Sequence, residues 1–210
     1  VLGAAKTVQT LPGGSAIATH QSAALQEILR GMLKYSTNLT AEMVGLVASN
    51  AGGSQATSLK ASAQKMNQWA KLNLGMSTPK LVDHSGLGDA SRLTPKDMVM
   101  ALSHPRARTA LKPLLKNIVL RHSDGKPNTS HPLKVVAKTG TLNFASTLAG
   151  YITTQDGSEL AFAIFTADQP KRRSLKKSER ERPDGGRTWI RRSKTLQQKL
   201  LERWGALYGA

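Results

Sequence analysis

The sequence predicts a mixed α/β domain of the α+β kind, with helices packed on an antiparallel sheet and a last helix closing it. Three observations carry that prediction. Apolar residues recur at helical spacing from about residue 22 to residue 103. After Leu133 the period changes to short runs rich in β-branched residues. The chain then ends on an amphipathic stretch, with Leu196, Leu200, Leu201 and Trp204 on one side. Helices followed by antiparallel strands are segregated layers, not alternating βαβ units.

The elements follow in order. Residues 1–20, with Pro12, Gly13 and Gly14, read as a strand and turn. A first helix begins at Ser22, its candidate cap, with Leu25, Ile28, Leu29, Met32 and Leu33 on one face. The pattern breaks near Tyr35 and resumes with Leu39, Met43, Val44, Leu46 and Val47, until Gly52 and Gly53. A third helix over 54–74 should bury Leu59, Met66, Trp69 and Leu72. Asp83–Gly88 is a turn-rich loop, whose Asp83, His84 and Asp89 match no metal-site spacing and suit Asx hydrogen bonds. Thr94 caps a helix that has Pro95 at its first position and stops at His104-Pro105. Residues 106–121 are helical in part, and 124–132 are loop. Strands cover 133–137, 147–154 and 160–166, the last two joined by the hairpin turn Gln155-Asp156-Gly157-Ser158. The closing helix spans 194–207.

Composition narrows the classes. No run of about 18 apolar residues exists to span a membrane. Val1 opens without a basic segment leading into an apolar one, so no signal peptide is visible. Zero cysteines exclude a disulfide framework and Cys-based metal sites. The net charge is +17, and Lys171–Lys194 supplies 11 Lys/Arg against 3 Asp/Glu. A field of that sign attracts polyanions. The segment 169–194 reads as a basic surface loop, pinned to the body by Trp189.

Two short motifs carry chemistry. Ser36-Thr37-Asn38 falls at a break between helices, where Ser36 and Asn38 could also simply cap the next helix. Lys138-Thr139-Gly140-Thr141 falls at the end of a strand about 100 residues later. S-x-N followed by K-T-G belongs to the motif set of the penicillin-binding proteins and class A β-lactamases. With LRGMLKYSTNLTAEMVG, LVDHSGLGDASRLTP and VVAKTGTLNFASTLAGYI, the chain resembles, from Leu11 to Leu207, the C-terminal part of the D-alanyl-D-alanine carboxypeptidase/endopeptidases, the class C low-molecular-mass penicillin-binding proteins. His84 stands where that family usually has Gly, which bears on the loop's backbone because His rarely takes positive φ.

The resemblance implies a serine β-lactamase/transpeptidase-like fold whose N-terminal portion is missing here. It implies hydrolysis of the D-Ala-D-Ala bond of peptidoglycan stem peptides, or endopeptidase cleavage of cross-links, through an acyl-enzyme. Ser36 would relay a proton and Asn38 would hold the substrate amide. Lys138 would supply a fixed positive charge, and the Thr139 and Thr141 hydroxyls would take the terminal carboxylate. Gly140 would let the strand approach the substrate, and the Thr141 N–H would face the oxyanion. β-Lactams would be trapped as covalent inhibitors. No metal or organic cofactor is implied, and the location implied is periplasmic. The family places S-x-x-K before S-x-N, but Ser15 and Ser22 are followed three positions on by Ala18 and Leu25. The matches Ser62–Lys65, Ser77–Lys80 and Ser174–Lys177 all come later. The nucleophile is therefore expected on a segment outside this chain, which becomes a partner of it. Two other readings stand beside this one. One is a β-lactamase of the same fold. The other is a basic module binding an anionic wall polymer or lipid through Lys171–Lys194, with nucleic acid less favoured.

Overall fold

A computed structural model describes residues 7, 9–10, 13–15, 18–51, 55–179 and 182–209. Four helices come first: α1 (Leu25–Tyr35), α2 (Asn38–Asn50), α3 (Leu59–Leu74) and α4 (Pro95–Ser103). A π turn (Ala107–Leu111) and a 3-10 turn (Lys112–Leu114) lead into the sheet. The sheet has the order β1 (Lys116–Asn117), β2 (Lys134–Leu142), β3 (Ala145–Thr153), β4 (Glu159–Ala167), antiparallel throughout. A short helix α5 (Gln169–Ser174) and the long α6 (Gly186–Tyr208) follow.

Local chemistry explains most boundaries. Thr94 accepts the Asp97 N–H and Pro95 opens α4, as expected, and extended backbone at His104 ends it. Ser58 caps α3 by accepting the Ala61 N–H, and Gly75 closes it in the left-handed region at φ 66°. The β3–β4 turn has Gly157 at φ +88°, with the Thr154 N–H donating to Ser158 O at 2.9 Å.

The sheet is covered on both faces. On one, Leu201 of α6 packs with Leu120, Val135, Ala137, Leu148, Ile152, Phe162 and Ile164. On the other, Leu102 of α4 packs with Ala149 and Tyr151. The buried Tyr151 hydroxyl donates to Leu102 O at 2.7 Å, tying helix to strand.

Several expectations are corrected. The first helix starts at Leu25, with Ala24 rather than Ser22 at its cap position. The third starts at Leu59, where the Ser58 cap is. Leu59, Trp69 and Leu72 are exposed, not buried, and Trp69 is no core residue. The buried stripe of α3 is Ser62, Ala63 and Ala70 instead. The closing helix begins at Gly186, eight positions before the expected Lys194, so much of the basic 169–194 segment is helix. The strand expected within 1–20 falls largely outside the described residues, as do Gly52 and Gly53. α1 and α2 contain no fully buried residue, and Leu39, Met43 and Val47 face solvent among the described residues.

Candidate active site

The break between α1 and α2 is a sharp one. Ser36 sits in the left-handed region at φ 56°, and its N–H closes α1 on Met32 O. Thr37 is extended, and Asn38 is the first residue of α2. The capping alternative for these two side chains fails here, because Thr37 holds the cap position and no side chain caps the helix. Ser36 and Asn38 are both exposed.

Lys138 comes from the sheet. It lies inside β2 rather than at its end, since the strand runs on to Leu142. Its Nζ donates to Ser36 Oγ at 2.6 Å and to Thr139 O at 2.5 Å. The two motifs, 102 residues apart, thus meet. Burial lowers the Lys138 pKa below the ordinary lysine value, and the nearby Lys116 charge lowers it further. Nothing in the spacing of the sequence pointed to Lys116.

Strand alternation decides what else faces this point. Lys138 pairs with Ala149 and Gly140 with Thr147, on the α4 face of the sheet. Thr139 pairs with Leu148 and Thr141 with Ser146, on the α6 face. The backbone tells a second story. Ile118 N–H donates to Val135 O, so the amides of Val135, Ala137, Thr139 and Thr141 point toward the β1 side. β1 pairs only as far as Ala137. Beyond it, the N–H and C=O of Thr139 and Thr141 line an open strand edge among the described elements. Gly140 has a structural reason of its own: a Cβ there would lie 2.4 Å from Thr147 Oγ1.

The loop after α3 braces the S-x-N corner. Glu42, one turn into α2, accepts the N–H groups of His84 (3.1 Å) and Ser85 (2.9 Å). Burial pushes the Glu42 carboxyl up, but those hydrogen bonds outweigh it and hold the pKa below the usual value. His84 needs no positive φ; Gly86 supplies it at +79°. The His84 ring lies against Gly45, and its Nε2 is 2.8 Å from Ser62 Oγ. Ser62 is fully buried and also bonds Ser49, which closes it to substrate. Asp83 accepts the Gly88 N–H and the Ser91 hydroxyl, as a carboxylate-held turn should.

The basic segment reaches this neighbourhood too. Asn143-Phe144 turns β2 into β3, with Phe144 at φ 57° and fully buried. Trp189 meets Phe144 edge-on at 6.2 Å, Lys171 sits over its ring, and Arg172 Nη1 donates to Asn143 O at 3.0 Å. The expected pinning by Trp189 therefore lands on the turn two residues past Thr141.

This fold is that of the penicillin-binding and transpeptidase proteins. Penicillin binding protein 4 from Haemophilus influenzae superposes with TM-score 0.66 at 21% identity, over 92% of this chain and 43% of that one. A predatory endopeptidase from Bdellovibrio bacteriovorus gives 0.52 at 22% identity, over 85% and 43%. Residues 1–183 match the D-Ala-D-Ala carboxypeptidase 3 (S13) family, and the chain belongs to it. A carboxypeptidase from Mycolicibacterium smegmatis is 32% identical over 165 residues, which are 73% of this chain and 36% of that protein. A D-alanyl-D-alanine carboxypeptidase from Haemophilus influenzae is 28% identical over 72% of this chain and 33% of that protein. The chain thus spans about a third of the length of these curated relatives.

Proposed function

We propose that this chain forms the substrate-binding side of a serine peptidase site that hydrolyses the D-Ala-D-Ala bond of peptidoglycan stem peptides, outside the cytoplasmic membrane. The observation that carries the reading is the Lys138 Nζ–Ser36 Oγ contact beside the open edge of β2. The substrate backbone adds along that edge, as an extended peptide adds to any free strand. The Thr141 N–H meets the carbonyl oxygen where negative charge develops. The Thr139 and Thr141 hydroxyls flank the same edge from the other face and take the terminal carboxylate as it passes the strand. Lys138 attracts that carboxylate and holds Ser36. Asn38 binds the substrate amide.

The nucleophilic serine and its lysine lie, in this proposal, on a segment outside these 210 residues; no S-x-x-K precedes Ser36. Its Oγ attacks the penultimate D-Ala carbonyl, and its proton passes through Ser36 to the departing D-Ala amine. Water then hydrolyses the ester and restores the serine. A β-lactam would stop at the ester.

Labelling with a fluorescent penicillin, followed by denaturation and intact mass, tests this. The longest form of the protein should label and this chain alone should not. In the longer form, Lys138→Ala should slow labelling by roughly 10²–10³-fold, the scale of a lost transition-state contact. Labelling of this chain alone, or an undiminished rate in the variant, refutes the division of the site. No labelling of either form refutes the enzyme.

A further inference from the structure

α6 has a second side that the sheet does not use. Its 23 residues extend about 34 Å. Ser193, Gln197, Leu201 and Gly205 face inward. At the helical pitch, Arg192, Leu196, Lys199, Arg203 and Leu207 fall in one stripe about 80° wide on the outer side. All five are exposed, Leu196 at 47% and Leu207 at 59%. None of the three cations belongs to an ion pair among the described residues. Glu202, the one acid of α6, is turned to the other flank, where it accepts from Gln198 and faces His131 at 3.9 Å.

We propose that this stripe docks the protein on an anionic lipid bilayer. A purely cationic stripe would suit any polyanion. Leucines along one edge of the same stripe change the match: against nucleic acid or a wall polymer they meet polar groups and gain nothing. At a bilayer the cations sit among lipid phosphates while the leucines enter the headgroup–acyl boundary. The helix lies on the surface; no described helix is long and apolar enough to cross a membrane. The net charge of +17 draws the whole molecule to the same surface. The sheet separates α6 from Lys138 and Ser36, so a docked molecule turns that side away from the lipid. The proposal does not depend on the peptidase reading.

Co-sedimentation of the 210-residue chain with vesicles tests it, using phosphatidylcholine alone and with roughly one-third phosphatidylglycerol at near-physiological salt. Binding should require the anionic lipid. Arg192→Glu/Lys199→Glu/Arg203→Glu should weaken it by at least roughly thirtyfold. Leu196→Ser/Leu207→Ser keeps every charge and should weaken it several-fold. Lys60→Glu/Lys71→Glu/Lys80→Glu makes the same change in net charge at exposed positions on and beside α3, and should cost less than a tenth as much. Helix content by circular dichroism shows that each variant is folded. The proposal is overturned if anionic vesicles are not bound, or if the α3-side reversals cost as much. It is equally overturned if the leucine pair has no effect while a short DNA duplex binds as tightly. Penicillin labelling of the longest form of the protein reads the peptidase proposal separately.

Discussion

At the scale of single residues, Gly140 shows how much a motif leaves unsaid. Read alone, the glycine of K-T-G suggests room for a substrate. In the sheet it also faces Thr147, whose hydroxyl stands where a Cβ would go. Thr is stiff at χ1, so the hydroxyl does not swing away freely. Gly140→Ala should therefore destabilise the chain by about 1–3 kcal/mol, the usual cost of forcing extra volume into a packed site. Thr147→Ala in the same chain should restore most of that loss. Denaturant melts of the two single variants and the double variant decide it; additive losses would mean that the two side chains do not meet. The meeting of Ser36 and Lys138 was legible because the type and order of the two motifs point to it. Thr147 and Lys116 were not, because their proximity comes from strand register, which spacing along the chain does not encode.

At the scale of elements, the loops between helices matter as much as the helices. Asp97 is buried at the start of α4. Its carboxylate accepts the Ser77 N–H at 2.6 Å and the Thr78 hydroxyl at 3.0 Å, fastening the chain after α3 to α4. The Ser77 N–H lowers its pKa most, burial opposes, and the Thr94 and Thr78 contacts bring the balance below the ordinary 3.8. The sign follows: the unfolded chain takes up this proton first as pH falls, so Asp97 stabilises the fold above 3.8 and that contribution is lost as pH drops through the lower folded value. Asp97→Asn turns an amide NH₂ toward donors and should lower the melting temperature at neutral pH. The gap to the wild type should narrow toward about pH 3. A gap of constant size across thermal melts would show that the charge plays no part. The α4 cap was readable from Thr94-Pro95, and the β3–β4 hairpin from Asp156-Gly157. The start of α6 was not, because Gly185-Gly186 and the dense charge before Trp189 look like a loop until Trp189 finds Phe144.

At the scale of the molecule, the order of layers was legible and the character of the sheet's edges was not. Among the described residues β4 is a terminal strand of nine residues, and Glu159, engaged with Lys112 and Arg108, is its only charge. The Thr154–Ser158 hydrogen bond sets the phase, so Leu160, Phe162 and Ile164 turn their amides to β3 while Ala161, Ala163 and Phe165 turn theirs outward. A long apolar edge whose one charge is paired at its start, with no bulge or proline, is a template for another strand. It is also where a larger sheet would continue. What opposes self-association is the net charge of +17, a repulsion that salt screens. The chain should therefore run as a monomer at low salt and gain mass in light scattering as salt rises. Ala163→Pro removes an outward N–H and leaves the β3 pairing intact, so it should hold the chain monomeric at the same salt with its circular dichroism unchanged. Association of the proline variant to the wild-type extent would place the contact elsewhere. A wild type that stays monomeric at every salt concentration would show that the β4 edge is not open.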